Sequence, residues 1–371
     1  MKAAIVCSWL NQYGGAERVL EVLHGLYPSA PVYTSVFEPR AMPAAYQTWD
    51  IRTSFMQRLP FARQHHQLFL PLYPLAFERF DLSGYELIIS NTSAFAHGVI
   101  TSPQTCHICY CLTPARFLWS YAEYAGREAL GQRVRAALIP LITALRVWDA
   151  VAAYRVDRFV AISHSVATRI KKYYRREAAI IYPPVNTAAY RPSDGYDDFF
   201  LVVSRLVPYK RIDLAVQACS KLGLPLKVVG DGRSRQKLEA LAGPSVQFLG
   251  RVDDGLVKQL YARCKGLIFP GDEDFGLTPL EAQASGRPVI AFACGGALET
   301  VIDGETGAFF SEPTAESLAT ALLDFREGDY DPQRIRHHAS GFDVAVFQRQ
   351  FAGLVAECYA EHNRRPLLLR G

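Results

Sequence analysis

No stretch of the sequence approaches the roughly 20 consecutive apolar residues that cross a bilayer. Its opening, MKAAIVCSWLNQYGG, turns from an apolar run into a polar loop before the core of a secretory leader could form. The expectation is a soluble cytoplasmic protein. A disulfide framework is lacking too, since Cys7, Cys219, Cys264, Cys294 and Cys358 stand singly in apolar stretches. CHICYC, residues 106 to 111, is the exception, and its thiols and His107 could be read as metal ligands. Alternate residues of a strand take opposite faces, however, so Cys106, Cys109 and Cys111 do not converge on one ion without a bulge, and a buried strand is the better reading. Low-complexity tracts and short-period repeats are missing. Basic residues do not alternate with aromatics on any expected sheet and the net charge is only +4, which argues against nucleic-acid binding.

What is present is enough chain, 371 residues and half of them hydrophobic, for two domains with separate cores. Charge is uneven: residues 1 to 186 hold 19 Lys/Arg against 12 Asp/Glu, and the remainder 21 against 24. The basic half is the one expected to meet an anionic surface. Short apolar runs alternate with helical patterns throughout, AAIVCS, VYTSVF, ELIISN, HICYCL and RFVAIS, then FLVVSR, LKVVG, VQFLG, LIFP and PVIAFA. That rhythm predicts an α/β chain of parallel sheets with crossover helices, in two blocks. Residues 182 to 198, rich in Pro, Asp and Tyr, read as the connection. Val346, Phe347, Phe351, Leu354, Val355 and Cys358 have helical spacing and predict a long amphipathic C-terminal helix.

Ligands of open parallel sheets bind beyond the carboxyl ends of the strands, so the loops there are the candidates. After the first strand, Gly14 and Gly15 precede a helix whose free N–H groups could face an anion, although a plain tight turn would use the same residues. After FLVVSR, three cations, Arg205, Lys210 and Arg211, sit in one loop and could neutralise a diphosphate; a solvated basic loop is the alternative. In GDEDFGLTPLEA, Thr278 has the place of an N-cap, Pro279 of the first helical residue and Glu281 of the returning acid of a capping box. Glu273 has no such structural role, and Gly276 leaves the loop backbone open. Carboxylates that accept two hydroxyls, on either side of a helix start that holds phosphate, suit a nucleotide sugar: Glu273 toward the sugar, the amides of Phe275, Gly276, Leu277 and Thr278 toward the phosphates, Glu281 toward the ribose.

The E-x7-E spacing of Glu273 and Glu281, the Arg205/Lys210 pair, the N-terminal GG and GGALETVIDGETGAFF together resemble the retaining GT-B glycosyltransferases of family 4. YCLTPARFLW further resembles the YCHTPxRYLW-type segment of bacterial mannosyltransferases of O-antigen and exopolysaccharide assembly. The resemblance implies a GT-B fold, two Rossmann-like domains facing across a cleft: residues 1–185 for the acceptor, 186–355 for the nucleotide-sugar donor, and a terminal helix of about 356–371 packing back on the first. It implies that Arg205 and Lys210 bind the donor diphosphate, Glu281 the ribose, Glu273 the transferred sugar, Gly14 and Gly15 the phosphate, and the backbone at Arg251 and Val252 the base. One departure is Leu112, where the family commonly has a histidine; His107 lies five residues upstream and reads as a core residue.

The implied reaction is retaining transfer of mannose from GDP-mannose to a lipid-linked oligosaccharide in cell-surface polysaccharide synthesis. It would run by front-face attack with Glu273, Lys210 and Arg205 as the catalytic groups and no metal or other cofactor. A UDP-sugar donor, or a nucleotide-sugar binder without turnover, are the alternatives. Tyr13, Arg116 and Trp119 are the expected acceptor contacts. Arg127, Arg133, Arg135 and Arg146 beside Leu130, Val134, Leu138, Leu141, Ile142 and Leu145, with Lys171, Lys172, Arg175 and Arg176 in TRIKKYYRRE, predict peripheral binding to an anionic cytoplasmic membrane face. The alternative for these cations is an ordinary solvated helix face.

Overall fold

The computed structural model describes residues 1–127, 131–193 and 195–364. The expected membrane-facing residue Leu130, the side chain of Arg127 and residues 365–371 of the expected terminal helix lie outside the described residues. The chain forms two compact units, Met1–Tyr182 joined by the chain from Phe347 onward, and Pro183–Val346.

The first unit holds β1 (Ala3–Cys7), β2 (Val32–Thr34), β3 (Ile51–Thr53), β4 (Leu87–Thr92), β5 (Cys106–Cys111), β6 (Arg158–Ala161) and β7 (Ala178–Ile180). They make one seven-stranded sheet in the order β3-β2-β1-β4-β5-β6-β7, every pair parallel. β1, β4 and β5 are buried along their whole length, as central strands covered on both faces must be. This is why CHICYC reads as continuous apolar chain despite its histidine. On one face Val6 and Ile88 pack with Tyr73, Phe77, Leu118, Ile142 and Leu145.

The second unit repeats the plan with β8 (Phe200–Val203), β9 (Leu226–Val229), β10 (Val246–Gly250), β11 (Gly266–Phe269), β12 (Val289–Phe292) and β13 (Gly307–Phe310). Their order is β10-β9-β8-β11-β12-β13, again all parallel. Helices Ile212–Leu222 and Ala315–Asp324 cover one face of this sheet through Leu214, Leu318 and Leu322. In both units the strand order reverses direction at the central pair, β1/β4 and β8/β11. At such a switch the two outgoing loops diverge and leave room for a ligand.

Two expectations are corrected. The terminal helix runs Val344–Arg364 and rejoins the first unit at Phe347, earlier than 356, because Phe347 and Phe351 already meet Tyr110 of β5 with ring centroids 5.5 and 6.1 Å apart. One helix among the described residues, Gln132–Ala152 with its extension to Arg155, is long and apolar enough to cross a membrane by length and composition. Counting unbroken apolar runs missed it, because Arg146 and Asp149 interrupt the run. Both charges are used inside the unit: Arg146 donates to Leu118 O at 2.7 Å, and Asp149 accepts from Trp119 Nε1 at 2.7 Å and Tyr174 OH at 2.8 Å.

Candidate functional site

In the second unit the switch point carries the residues singled out in the sequence. The loop leaving β8 delivers Arg205 and Lys210, and the loop leaving β11 delivers Glu273. Lys210 Nζ and Glu273 Oε2 are in direct ionic contact, both side chains half-buried. Tyr209 sits between the two cations of its loop: Arg205 Nη2 donates to its hydroxyl at 3.0 Å, and Lys210 Nζ lies 5.4 Å from its ring centroid. Tyr209 carried no sequence signal beyond its place in the loop. Arg211 is the correction. Its guanidinium binds both oxygens of Asp213 at 3.2 and 3.3 Å and the carbonyl of Pro313 at 3.2 Å, so only two of the three expected cations point to the switch.

Glycines hold the loops together. A Cβ on Gly271 would stand 3.0 Å from Lys210 O, so the two switch loops touch through their backbones. A Cβ on Gly296 would stand 2.2 Å from Phe275 Cα, and Gly296 N donates to Glu273 O at 2.8 Å. The Gly295-Gly296 pair after β12 is therefore the floor beneath Glu273. Only the motif GGALET hinted at it.

The capping box is overturned. Helix Leu277–Ala284 starts two residues earlier than expected, with Gly276 (φ 94°) at its N-cap and no side-chain cap, so Thr278 and Pro279 lie inside the first turn. Glu281 is 3% exposed and its Oε2 accepts from Tyr261 OH at 2.8 Å. A glycine at that conformation frees the N-cap from any side chain and leaves the helix N–H groups of the first turn to other acceptors. Phe275 is buried beside Phe342, ring centroids 6.0 Å apart, so its backbone and not its ring is what the loop presents. Arg251, exposed, and Val252 follow edge strand β10 and lead into helix Asp254–Arg263, which Asp253 caps at Leu256 N, 3.0 Å.

In the first unit Gly14 is the N-cap of helix Gly15–Leu26, at the carboxyl end of β1. Asn91, near the end of β4, donates to Ala16 O at 3.0 Å and ties that strand end to the first turn of the helix. Tyr13 is 41% exposed, and its hydroxyl donates to Glu21 at 3.2 Å; burial and that carboxylate push the phenol up to about 12. Arg116 opens the short helix Arg116–Trp119. Trp119 is less available than expected: its N–H is taken by Asp149 and its face stacks on Tyr173 at 4.6 Å. Leu112 directly follows β5, with its N–H on Thr92 O at 2.8 Å. His107 is fully buried, Nε2 at 2.9 Å from Ser90 Oγ, and burial holds it down at about 4, a core histidine.

The basic patch is smaller than the sequence suggested. Arg135 donates to Ala125 O, Arg146 to Leu118 O, and Arg176 to Ala153, Val156 and Asp157 carbonyls. Basic side chains near helix ends hydrogen-bond the unpaired carbonyls there. Arg133, Lys172 and Arg175 are exposed, and Lys171 pairs with Glu177 at 2.8 Å. Among the described residues one group with cation-binding chemistry occurs, Cys106, Asp157 and His362 with ligand atoms within 4.8 Å of one another. It stands at the amino end of β5, the wrong end for the switch.

Residues 189–340 match the family described as Glycosyl transferases group 1. The chain is 28% identical over 252 residues to the D-inositol 3-phosphate glycosyltransferase of Streptomyces scabiei, covering 58% of this chain and 56% of that one. It is 25% identical over 261 residues to the alpha-1,3/1,6-mannosyltransferase ALG2 of Candida glabrata, covering 53% and 57%. The chain thus spans about half the length of the curated relatives it matches. Among solved structures, Anabaena HepE in complex with UDP and glucose superposes with TM-score 0.71 at 19% identity, over 96% of this chain and 100% of that one, a likeness of fold.

Proposed function

We propose that the protein moves a hexose from a nucleotide diphosphate sugar to a lipid-linked saccharide, with mannose from GDP-mannose as the donor, a reading supported by the match of residues 189–340 to the group 1 glycosyl transferases. The observation that carries this reading is the meeting of Lys210 with Glu273 at the β8/β11 switch point, next to an uncapped helix start and a buried Glu281. Lys210 and Arg205 meet the charge that develops on the departing diphosphate, the first-turn amides from Leu277 donate to its phosphate oxygens, Glu281 holds the ribose, and Glu273 fixes a sugar hydroxyl. Transfer retains configuration: the leaving phosphate oxygen takes the acceptor proton on the face it leaves, and the protein supplies position and charge. As proposed, the chemistry calls on no metal. Because Lys210 is paired with Glu273, a donor must compete with that contact, which couples phosphate binding to release of the carboxylate toward the sugar.

Mannose is supported by the ALG2 likeness and by YCLTPARFLW. A UDP-sugar is the second reading, favoured by the ligand of the Anabaena structure. A thermal-shift panel of GDP, UDP and ADP sugars tests the donor: stabilisation by GDP-mannose is expected, and stabilisation by UDP alone overturns it. Release of nucleoside diphosphate on adding a lipid-linked acceptor tests turnover. In this reading the first unit takes the acceptor at Tyr13, Arg116 and Trp119 and the protein sits peripherally on the cytoplasmic membrane face, which the positive excess of residues 1 to 186 supports. Replacing Lys171, Lys172, Arg175 and Arg176 by Ser is expected to weaken flotation with anionic vesicles.

A further inference from the structure

The buried stripe of the terminal helix Val344–Arg364 runs Phe347, Phe351, Val355, Cys358 and then His362. A core-facing stripe is expected to stay apolar to its end, yet this one closes on an imidazole that is only 6% exposed. The ring meets the amino end of the sheet in the first unit, away from the switch. Cys106 opens β5 and is fully buried, and Asp157 directly precedes β6. Ligand atoms of Cys106, Asp157 and His362 all lie within 4.8 Å of one another. Three elements far apart in sequence thus deliver one sulfur, one oxygen and one nitrogen to one point.

The imidazole and the carboxylate are both held from behind. His362 Nε2 is 3.1 Å from Pro103 O. A carbonyl oxygen only accepts, so Nε2 carries the proton and donates to it, and Nδ1 is the nitrogen left facing Asp157. The turn that bears Pro103 is closed by Thr105 N on Ser102 O at 3.0 Å. Asp157 is clamped to one residue of β5: its Oδ2 accepts from His107 N at 2.9 Å, and its own N–H donates to His107 O at 2.9 Å. A carbonyl on the far ring nitrogen and a hydrogen bond on the second carboxylate oxygen are the supports that orient metal ligands.

Nδ1 of His362 and Oδ1 of Asp157 stand 3.8 Å apart. A direct hydrogen bond would draw the two atoms to about 2.7–3.2 Å. Two ligands at about 2.0–2.2 Å from a tetrahedral zinc ion stand roughly 3.4 Å from each other, and a sulfur at about 2.3 Å stands slightly farther from both. The pair is therefore spaced for an ion between its atoms. Charge agrees, since a thiolate and a carboxylate together balance a divalent cation and leave no net charge in a largely buried place. Sulfur and imidazole select zinc or a similar transition metal over calcium or magnesium, which take oxygen ligands. The Asp157 side chain keeps 23% of its surface exposed, which gives an ion and a water a way in.

We propose that Cys106, Asp157 and His362 form a binding site for a divalent transition metal ion, zinc by its donor set, which fastens the terminal helix to the sheet of the first unit. On binding, the Cys106 thiol gives its proton to solvent, and its sulfur, His362 Nδ1 and Asp157 Oδ1 donate to the ion, with water as the fourth ligand. The site is structural: it stands at the amino ends of the strands, and no group assigned to the donor or the acceptor belongs to it. The rival use of the same atoms is an imidazolium paired with Asp157, which needs no metal.

The test uses the full chain without an affinity tag, stripped with a chelator and returned to chelator-free buffer. Zinc titrated in a calorimeter is expected to bind as one ion per chain. At about a hundredfold excess over Kd it should raise the melting temperature of the first unit, read by tryptophan fluorescence, by about 5–10 °C. Cobalt in its place should show the thiolate-to-metal absorption that a cysteine ligand produces. Cys106→Ser and His362→Gln are each expected to weaken zinc binding at least about tenfold, and Cys106→Ser to abolish the cobalt band. Glutamine at 362 keeps a donor for Pro103 O, so that variant carries the test even where the buried serine prevents folding. A wild-type chain that neither binds zinc stoichiometrically nor gains stability from it overturns the proposal and leaves the imidazolium pair. Equal zinc affinity in His362→Gln and wild type overturns it as well, by placing the ion elsewhere. So does equal stabilisation by calcium, which has no use for a thiolate.

Discussion

In the second unit the turns leaving the central strands bring Lys210 against Glu273, with backbone packed so tightly that Gly271 and Gly296 leave no room for a methyl group. In the first unit the turns leaving the equivalent strands bring together Ser8, whose hydroxyl donates to Ala94 O at 2.7 Å, and Phe95, fully buried at φ +64° and stacked on Tyr73 at 4.6 Å. The sheets reverse at the same place in both. One switch point brings opposed charges together and the other is filled by a buried hydroxyl and buried rings, so the shared topology sets where the loops diverge and the loop residues set what occupies that place. The opposed charges of the second suit the phosphate-bearing donor proposed for it.

The sharpest way to break this division is to remove the charges from the second unit. Lys210→Ala and Glu273→Ala should each lower kcat/KM on the order of a thousandfold, about 4 kcal/mol in the barrier, while circular dichroism and melting stay near wild type. The same measurement on Tyr13→Phe should show a much smaller loss. If either charge variant keeps more than about a tenth of the wild-type rate, the role given to that residue is wrong.

Acid should separate the units by stability. His66 and His107, both in the first unit and both lowered to about 4 by burial, stay neutral when folded. An unfolded histidine titrates near ~6.5, so between roughly 6.5 and 4 the unfolded chain binds more protons and stability falls as pH falls; above that window the contribution is fully present. Each histidine is worth on the order of 3 kcal/mol across the window. All four tryptophans, Trp9, Trp49, Trp119 and Trp148, lie in the first unit, so their fluorescence reports its unfolding. The fluorescence midpoint should drop steeply below pH 6, and His107→Leu should flatten the slope even if it lowers stability at pH 8. A slope unchanged in the variant would remove His107 from the account.

The same contrast explains what the sequence disclosed. Two parallel sheets were legible because β1, β4, β5, β8 and β11 are short apolar runs set off by loops, and their order follows from the rules of crossover connections. Lys210 and Glu273 could be picked out as candidates because both lie in loops that leave apolar strands, and the structure brings the two into contact. Arg211 and the cations at 135, 146 and 176 misled for one reason: a guanidinium in sequence looks the same whether it faces a ligand or a carbonyl of its own fold. Thr278 misled because the capping pattern in sequence cannot register that Gly276, at φ 94°, ends the turn first.

A smaller effect is expected from the glycine floor. Gly296 has an ordinary helical backbone, φ −67° and ψ −17°, so alanine there meets no dihedral penalty and its whole cost is the clash with Phe275. Overpacking of this kind costs about 2 kcal/mol. Gly296→Ala should lower the melting temperature of the second unit and, by shifting the backbone that bears Glu273, also lower the transfer rate. A stability loss with unchanged kcat would detach the floor from the site.

The smallest effect separates two uses of Glu281. Had it closed a capping box, Thr278→Ala would cost about 0.5–2 kcal/mol; with Gly276 at the N-cap that substitution should cost under ~0.5. What holds Glu281 is the hydroxyl of Tyr261 at 2.8 Å, and Tyr261→Phe removes it at a net cost of about 1 kcal/mol. Glu281→Gln keeps an oxygen to accept from Tyr261 but loses the charge, so its stability should fall less than that of Tyr261→Phe while nucleotide affinity falls more. Calorimetric titration of both variants, set against their melting curves, tests the pair: if Glu281→Gln binds nucleotide as wild type does, Glu281 serves the fold through Tyr261 and leaves the ribose to another group.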